Sequence, residues 1–302
     1  MESDIELWWS NPAAAFARWQ EREAAGADRK PFSTQSIVQH RAMFDRIYRF
    51  LLERGLSLAT AGVDHVDAFL AAGGGFAEDT TTRIRYAKLM DRLFRHLTEI
   101  GYRKGNPAFD VVNRMRWPEG DPEPAYLDDS QDAALQEHVQ PAIADDPRML
   151  RNRAIVAVLL GTGVTVTEFL RLTVNDLMLQ STHPYLSVSA HGGRSSRTVQ
   201  IEPFAVPVLE AWIRQRAADE TESIALFPNK DGKPLTVATL GNIVRDALTA
   251  IDVEAEDMSP RLLRNTDCRR RLSSGQSAEE VTYRLGLTTN RTVERMLATL
   301  NG

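Results

Sequence analysis

Residues 259–272 read Ser-Pro-Arg-Leu-Leu-Arg-Asn-Thr-Asp-Cys-Arg-Arg-Arg-Leu, and this stretch begins as an α-helix should. Ser259 is suited to cap the first turn, and Pro260 suits the first helical position, where its missing N–H costs nothing. Arg261 and Arg264 then lie about one turn apart, near the positive end of the helix dipole. The stretch therefore predicts a helix that faces an anion, with backbone phosphate as the favoured ligand. The alternative is a solvated basic helix end.

The segments around this helix predict a mainly helical domain with one small antiparallel sheet. Residues 185–190 and 196–201 alternate in strand fashion around a polar turn that contains glycine, which is typical of a β-hairpin. Helical periodicity indicates further helices at about 128–139, 148–160, 204–218, 236–250, 277–285 and 290–300. The run from Ala154 to Leu160 is wholly apolar, so the helix that carries it is expected to be buried.

The first third of the chain predicts a separate helical unit. Amphipathic periods indicate helices over about 33–52, 62–72 and 79–100. One face of the last of these helices carries basic side chains, namely Arg85, Lys88, Arg92 and Arg95. This face is either a surface that follows a phosphate backbone or a solvated helix face.

A proline-rich stretch separates the two helical regions. Residues 113–126 contain three prolines and little periodicity, which is typical of an extended linker. We therefore predict a helical domain over 1–112, a linker over 113–126 and a second domain over 127–302.

Composition limits the classes of protein to consider. The chain has 302 residues, 43% hydrophobic and 25% charged, as in soluble globular proteins, and its net charge of −5 argues against a uniformly basic surface. Its single cysteine, Cys268, excludes an internal disulfide and a cysteine-rich zinc site. No metal or nucleotide motif is present, so no cofactor is expected. The longest apolar run is far shorter than the ~20 residues that span a bilayer. We expect a cytoplasmic protein without membrane contact.

Five motifs follow one another through the second domain. They are the turn at 161–172, Gly-Thr-Gly-Val-Thr-Val-Thr-Glu-Phe-Leu-Arg-Leu; the hairpin turn at 191–194; Leu-Phe-Pro-Asn at 226–229; Ser-Pro-Arg-Leu-Leu-Arg at 259–264; and Leu-Gly at 285–286. In this order they resemble the boxes of the tyrosine recombinase, or phage integrase, family. The resemblance implies a core-binding-like DNA-binding domain over 1–112, followed after the linker by a degenerate catalytic-like domain over 127–302.

That resemblance also implies a catalytic set that the sequence largely lacks. The family uses a tyrosine nucleophile, two arginines on the scissile phosphate, a hairpin lysine and further hydrogen-bonding groups. Only Arg264 matches. The other positions fall on Thr165 for the first arginine, His191 or Gly192 for the lysine, Arg261 for the box histidine, Leu287 for the later His or Trp, and Met296 for the tyrosine. Because a thioether cannot form a phosphotyrosyl ester, we expect no catalytic residues and no enzyme activity.

The resulting interpretation is a DNA-binding pseudoenzyme of a mobile element. It is expected to bind double-stranded DNA and to act as an accessory, origin- or relaxosome-binding, or regulatory factor, beside a relaxase, a recombinase or another DNA-processing protein. The expected phosphate contacts are Arg264, Arg261, Arg194, Arg197, Arg85, Lys88, Arg92 and Arg95. Two alternatives stay open: a protein-interaction partner of an active recombinase without DNA contacts, and an active recombinase with displaced catalytic residues. The sequence leaves the oligomeric state open.

One departure from the family pattern has a structural interpretation. Asp267 and Arg271 occupy two positions that are usually apolar, and their i, i+4 spacing allows them to pair. The sequence therefore predicts a salt bridge that replaces an apolar contact.

Overall fold

A computed structural model describes most of the chain. The described residues are 4–22, 32, 34–73, 81–114, 123–143, 145–191, 194–219 and 222–300. The chain divides into two compact units, residues 1–121 and 122–302. Of the predicted linker, residues 113 and 114 belong to a helix and 115–122 lie outside the described residues. The assignment of separate functions to the two units stays a prediction.

All the regular secondary structure described in the first unit is helical. Its helices are α1 (Asp4–Ser10), α2 (Pro12–Arg22), α3 (Thr34–Leu52), α4 (Val63–Ala68), α5 (Thr81–Glu99) and α6 (Phe109–Arg114). A π-helical turn, Phe69–Gly73, continues α4. The three helices predicted from periodicity are confirmed as α3, α4 and α5. The short helix α6 was not predicted, because six residues are too few to show a helical period.

Aromatic side chains fill the core of the first unit. Phe16 of α2 stacks on Phe44 of α3 with ring centroids 4.1 Å apart, and Trp8 meets the same ring edge-on at 6.5 Å. From α5, Leu93 and Phe94 are fully buried in this cluster. The apolar face of α5 thus points inward, which leaves its basic face available at the surface.

The second unit combines helices with one small sheet. Its elements are α7 (Asp129–His138), α8 (Pro147–Thr162), α9 (Val166–Phe169), β1 (Leu177–Met178), β2 (Tyr185–Val188), β3 (Arg197–Gln200), α10 (Val206–Ala218), α11 (Val237–Thr249), α12 (Pro260–Ser273), α13 (Ala278–Arg284) and α14 (Arg291–Leu300). The strands are antiparallel in the order β1-β2-β3, and Leu186 lies opposite Val199. The predicted fold class, mainly helical with a small antiparallel sheet, is confirmed.

Helix α8 lies at the centre of the second unit. It packs against α10, α11 and α12, and every residue from Ala154 to Leu160 is buried. A helix enclosed on all sides has no polar face, which explains the unbroken apolar run in the sequence. None of the helices in the described part of the chain has the length and apolar character to cross a membrane.

Candidate nucleic-acid interface

The predicted anion-facing helix is present as α12. The Ser259 hydroxyl accepts a hydrogen bond from the backbone N–H of Arg261 at 3.2 Å, and Pro260 occupies the first turn. The Arg261 side chain is 74% exposed, and its Nη2 lies 2.8 Å from a carboxylate oxygen of Asp257. Arg261 is therefore a surface guanidinium whose partner is itself at the surface, so it can meet an external anion.

Two arginines converge on the carboxyl end of α13. Arg264 Nη2 donates to the Leu285 carbonyl at 2.7 Å, and its Nη1 donates to the Gly163 carbonyl. From the hairpin, Arg194 Nη1 donates to the carbonyls of Leu285 at 2.9 Å and Gly286 at 3.1 Å. The last carbonyls of a helix lack intrahelical partners and carry partial negative charge, so guanidinium groups stabilise them.

This pair of arginines has no acid in direct contact in the described part of the chain, although Glu168 and Asp267 are close enough to act on the charge of Arg264. None of the carboxylates among the described residues forms an ion pair with Arg194 or Arg264. Burial, and then the positive charge of Arg194, lower the pKa of Arg264 to about 10, so its guanidinium still carries its charge at neutral pH. Two like charges held side by side in a partly buried place create a local positive potential, although the whole chain is acidic.

Arg197 requires a correction, because it is not a surface residue. Its Nη1 lies 2.7 Å from Glu168 Oε1, and both side chains are 1% exposed. Its Nε donates to the Arg284 carbonyl at 2.7 Å. Arg197 was expected to contact phosphate, but its guanidinium is enclosed and hydrogen-bonded to Glu168 and to the Arg284 carbonyl inside the protein.

Thr165 and Glu168 complete this buried arrangement. The Thr165 hydroxyl donates to Glu168 Oε2 at 2.9 Å, in a capping box at the start of α9. Burial alone would raise the pKa of Glu168, but the hydrogen bonds from Arg197 and Thr165 outweigh burial and lower it to about 2. The family resemblance places an arginine at the position of Thr165. In this protein Thr165 instead hydrogen-bonds to the Glu168 carboxylate, which in turn pairs with Arg197.

The other positions matched to the family's catalytic residues have different surroundings. His191 Nδ1 lies 2.9 Å from Nη1 of Arg171, at the hairpin. Leu287 is half-buried, whereas Met296 is 1% exposed and packs in a small core formed by α12, α13 and α14. Tyr283 on α13 is 66% exposed, the highest exposure of the six tyrosines, all of which lie in described residues.

In the first unit, α5 presents part of the predicted basic face to solvent. Arg85 and Lys88 are exposed. Arg95 is 57% exposed and forms an ion pair with Asp91, one turn earlier. All three side chains lie at the surface of the first unit.

Arg92 differs from its neighbours on α5 because it is half-buried. Its guanidinium carbon lies 4.6 Å from the centroid of the Phe32 ring. Nearby, His40 Nδ1 is 2.7 Å from Gln20 Oε1, and burial together with the charge of Arg92 lowers the pKa of His40 to about 4. His40 is therefore neutral at pH 7, and Arg92 is the charged group at this place.

Comparison with known proteins decides the family. The sequence pattern of the phage integrase family matches residues 126–299, which is more than half of the chain. The chain belongs to the phage integrase family.

Individual members of the family resemble this phage integrase homologue over most of its length. The tyrosine recombinase XerC of Mycobacterium tuberculosis (strain ATCC 25177 / H37Ra) is 31% identical over 247 residues, which cover 80% of each chain. The tyrosine recombinase XerD of Vibrio vulnificus (strain YJ016) is 28% identical over 209 residues, covering 68% of this chain and 66% of XerD. A solved structure of the XerH recombinase bound to a palindromic difH substrate has a TM-score of 0.72 at 16% identity, covering 95% of this chain and 81% of XerH.

These relatives contradict one prediction from the sequence. The missing catalytic residues led to the expectation that the chain is not an enzyme. XerC and XerD are tyrosine recombinases, and this name denotes an enzyme. That expectation is wrong, because it rested on matching single positions.

Next to the arginine pair, the phage integrase homologue contains a buried ionic network. The predicted pairing is confirmed, since Arg271 Nε lies 3.6 Å from Asp267 Oδ1. Asp267 is fully buried and also faces Arg284 Nε at 3.3 Å and Arg270 Nη1 at 3.7 Å. Two further carboxylates complete the set, because Asp132 binds Arg270 at 2.7 Å and Glu202 binds Arg271. We call these six residues the ionic network.

Sequence reasoning missed Glu168, Asp132, Glu202 and Arg284. Each of them reaches its partner from another element, and no local spacing pattern connects the two. No local signal could have found them: α7, which carries Asp132, is mostly polar, so an acid in it does not stand out.

Proposed function

We propose that this chain binds double-stranded DNA and takes part in site-specific recombination. The observation that carries the proposal is the pair of Arg194 and Arg264 at the carboxyl end of α13. A partly buried pair of guanidinium groups attracts an anion, and the planar guanidinium fork suits phosphate oxygens. In this protein, each carbonyl bond leaves further N–H groups of both side chains available, since an arginine has five.

The surface of the first unit supports the same proposal. Arg85, Lys88 and Arg95 project from one face of α5, and Arg261 projects from α12. Separate basic patches of this kind can hold a duplex even when the net charge of the chain is −5. We propose that DNA contacts each unit separately: Arg85, Lys88, Arg92 and Arg95 in the first unit, and Arg194, Arg261 and Arg264 in the second. The solved XerH structure, which contains its difH DNA substrate, has the same fold.

We also propose the kind of genomic site that the chain binds and the proteins that act beside it. We place the bound site in a mobile element, at a recombination site, an origin of transfer or a promoter. There the chain acts beside a relaxase, a recombinase or another DNA-processing protein. A genome-wide footprint of the bound sites distinguishes these locations.

Binding to labelled duplexes at increasing salt tests the proposal. Each neutralised phosphate contributes about −0.9 to the slope of log affinity against log salt. The double variant Arg85→Ala/Lys88→Ala should therefore reduce the magnitude of this slope by about 1.8, and Arg261→Ala by about 0.9. All three side chains are exposed, so these variants should fold normally.

Arg214→Ala is the matched control, because Arg214 is a 72% exposed arginine on α10, outside the proposed surface. Its slope should equal that of the parent. Absence of salt-dependent binding to any duplex from the source genome would refute the proposal, and so would unchanged slopes in the α5 and Arg261 variants. Either result would favour the protein-interaction alternative.

A further inference from the structure

A cavity in the second unit is lined by none of the DNA-facing arginines. It has a volume of about 460 Å³ and lies between the segment that leads into β1, helix α10 and residues 222–224. Its walls carry five aliphatic side chains, those of Val174, Leu177, Leu179, Ile213 and Ile224. Sites for small organic ligands typically have volumes of about 300–1,000 Å³ and mostly apolar walls with a few polar groups.

One buried charge lines this cavity. Arg216 of α10 is only 7% exposed. Its Nη2 donates to the Ser223 carbonyl at 2.6 Å, and its Nη1 lies 3.4 Å from the Leu226 carbonyl. No carboxylate of the described residues forms an ion pair with Arg216, and burial lowers its pKa.

The hydrogen-bond partners of the Arg216 guanidinium are neutral carbonyl groups. A buried charge is costly unless an opposite charge and hydrogen bonds compensate for it, and here only neutral carbonyls do so. A guanidinium has five N–H groups, so two carbonyl bonds leave donors for a planar, two-oxygen acceptor. Glu222 and Gln180 also line the cavity, but both are exposed and so belong to its mouth.

We propose that this cavity binds a small apolar carboxylate, with its two oxygens on Arg216 and its hydrocarbon body against Val174, Leu177 and Ile213. The aliphatic walls match a hydrocarbon body of either alkyl or aromatic type. A single negative charge suits the site better than a phosphate dianion, because Glu222 at the mouth repels additional negative charge. This ligand would bind independently of DNA.

Thermal unfolding of the full chain tests the proposal with three probes: octanoate, phenylacetate and octanol. At about five times Kd, a carboxylate that fits should raise Tm by about 2–4 °C. Octanol has the same number of carbon atoms as octanoate but no charge, and it should give a clearly smaller shift. A response to octanoate alone identifies an alkyl acid, a response to phenylacetate alone identifies an aromatic acid, and either supports the proposal.

Two variants locate the effect. Arg216→Met should weaken carboxylate binding about tenfold or more, as expected for the loss of a charged hydrogen-bond donor. Ile224→Glu places a negative charge at the mouth, and because Ile224 is 71% exposed this variant should fold and still bind less tightly. Ile143→Glu is the matched control, a fully exposed isoleucine outside the cavity, and should bind like the parent.

Three results would overturn the proposal: no shift with either acid, a shift with octanol as large as that with the acid that responds, or unchanged binding of that acid in Ile224→Glu. If Arg216→Met does not fold, the Ile224→Glu result decides.

Discussion

Replacing Glu168 by glutamine should destabilise the second unit strongly. The Glu168 carboxylate and the Arg197 guanidinium are both 1% exposed and lie 2.7 Å apart. The neutral amide would leave Arg197 as an uncompensated buried charge, and breaking a buried pair in this way typically costs about 3–5 kcal/mol. The pKa of Glu168 gives a similar figure. Lowering it from 4.5 to about 2 corresponds to about 3 kcal/mol at ~1.4 kcal/mol per unit.

Thermal and urea unfolding of the full chain measure this effect. A loss of about 3 kcal/mol should lower Tm by about 6–12 °C for a unit of this size. Glu210→Gln is the matched control, since Glu210 pairs with Arg214 at 3.9 Å on the surface of α10 and such pairs contribute below about 1 kcal/mol.

The pH dependence provides a second readout of the same pair. The folded-state pKa of Glu168 lies below its unfolded value. Its contribution to the free energy of unfolding is therefore complete above about pH 4.5 and disappears as pH falls toward 2. In Glu168→Gln this part of the acid destabilisation should be missing. A Tm loss equal to that of Glu210→Gln, or an unchanged acid profile between pH 4.5 and 2, would refute the reasoning.

Three further substitutions test other parts of the second unit. Gly163→Ala should cost more than about 1 kcal/mol of stability, because Gly163 has φ +60° and an added Cβ would lie 2.6 Å from Asp267 Oδ2. The control Gly241→Ala, within α11 and facing open space, should be neutral or slightly stabilising. Equal effects of the two substitutions in unfolding experiments would contradict this reasoning. Asp267→Asn should cost about 3–5 kcal/mol, because it leaves the buried Arg284 without a carboxylate partner. Asp129→Asn, at an 88% exposed side chain, should leave the urea midpoint unchanged, and similar midpoints for the two variants would argue against the ionic network. A covalent protein–DNA adduct formed on nicked suicide duplexes should be lost in Tyr283→Phe and kept in the control Tyr126→Phe. The reason is that Tyr283 is exposed, whereas Met296 is buried. An adduct that persists in Tyr283→Phe would place the nucleophile elsewhere.

The sequence predicted those parts of the fold that have a local pattern. Helical periodicity located α3 and α5, and alternation located the hairpin, because burial of one face imposes these periods directly. The start of α12 was located by its capping signal, Ser259-Pro260. The two-residue strand β1 and the four-residue helix α9 escaped prediction, since neither is long enough to show a period.

The candidate site was less predictable for a different reason. The partner of Arg197, Glu168, is 29 residues away in the chain, and the acceptors of Arg264 are backbone carbonyls that any sequence possesses. Residue type alone therefore could not distinguish a buried arginine from one that lies at a DNA-binding surface. The Asp267–Arg271 pair was predictable because i, i+4 spacing is a local signal.

The ionic network has a consequence for how this sequence can change over evolutionary time. Its six members comprise three carboxylates and three guanidinium groups, so the enclosed charge sums to zero. Any single neutral replacement leaves one net charge inside the protein, whereas replacing an acid and a base together restores the balance. Divergence at these positions is therefore expected to proceed in coupled steps. Descendants of this chain should carry either a complete acid and base partner or two apolar residues, and rarely one member without the other.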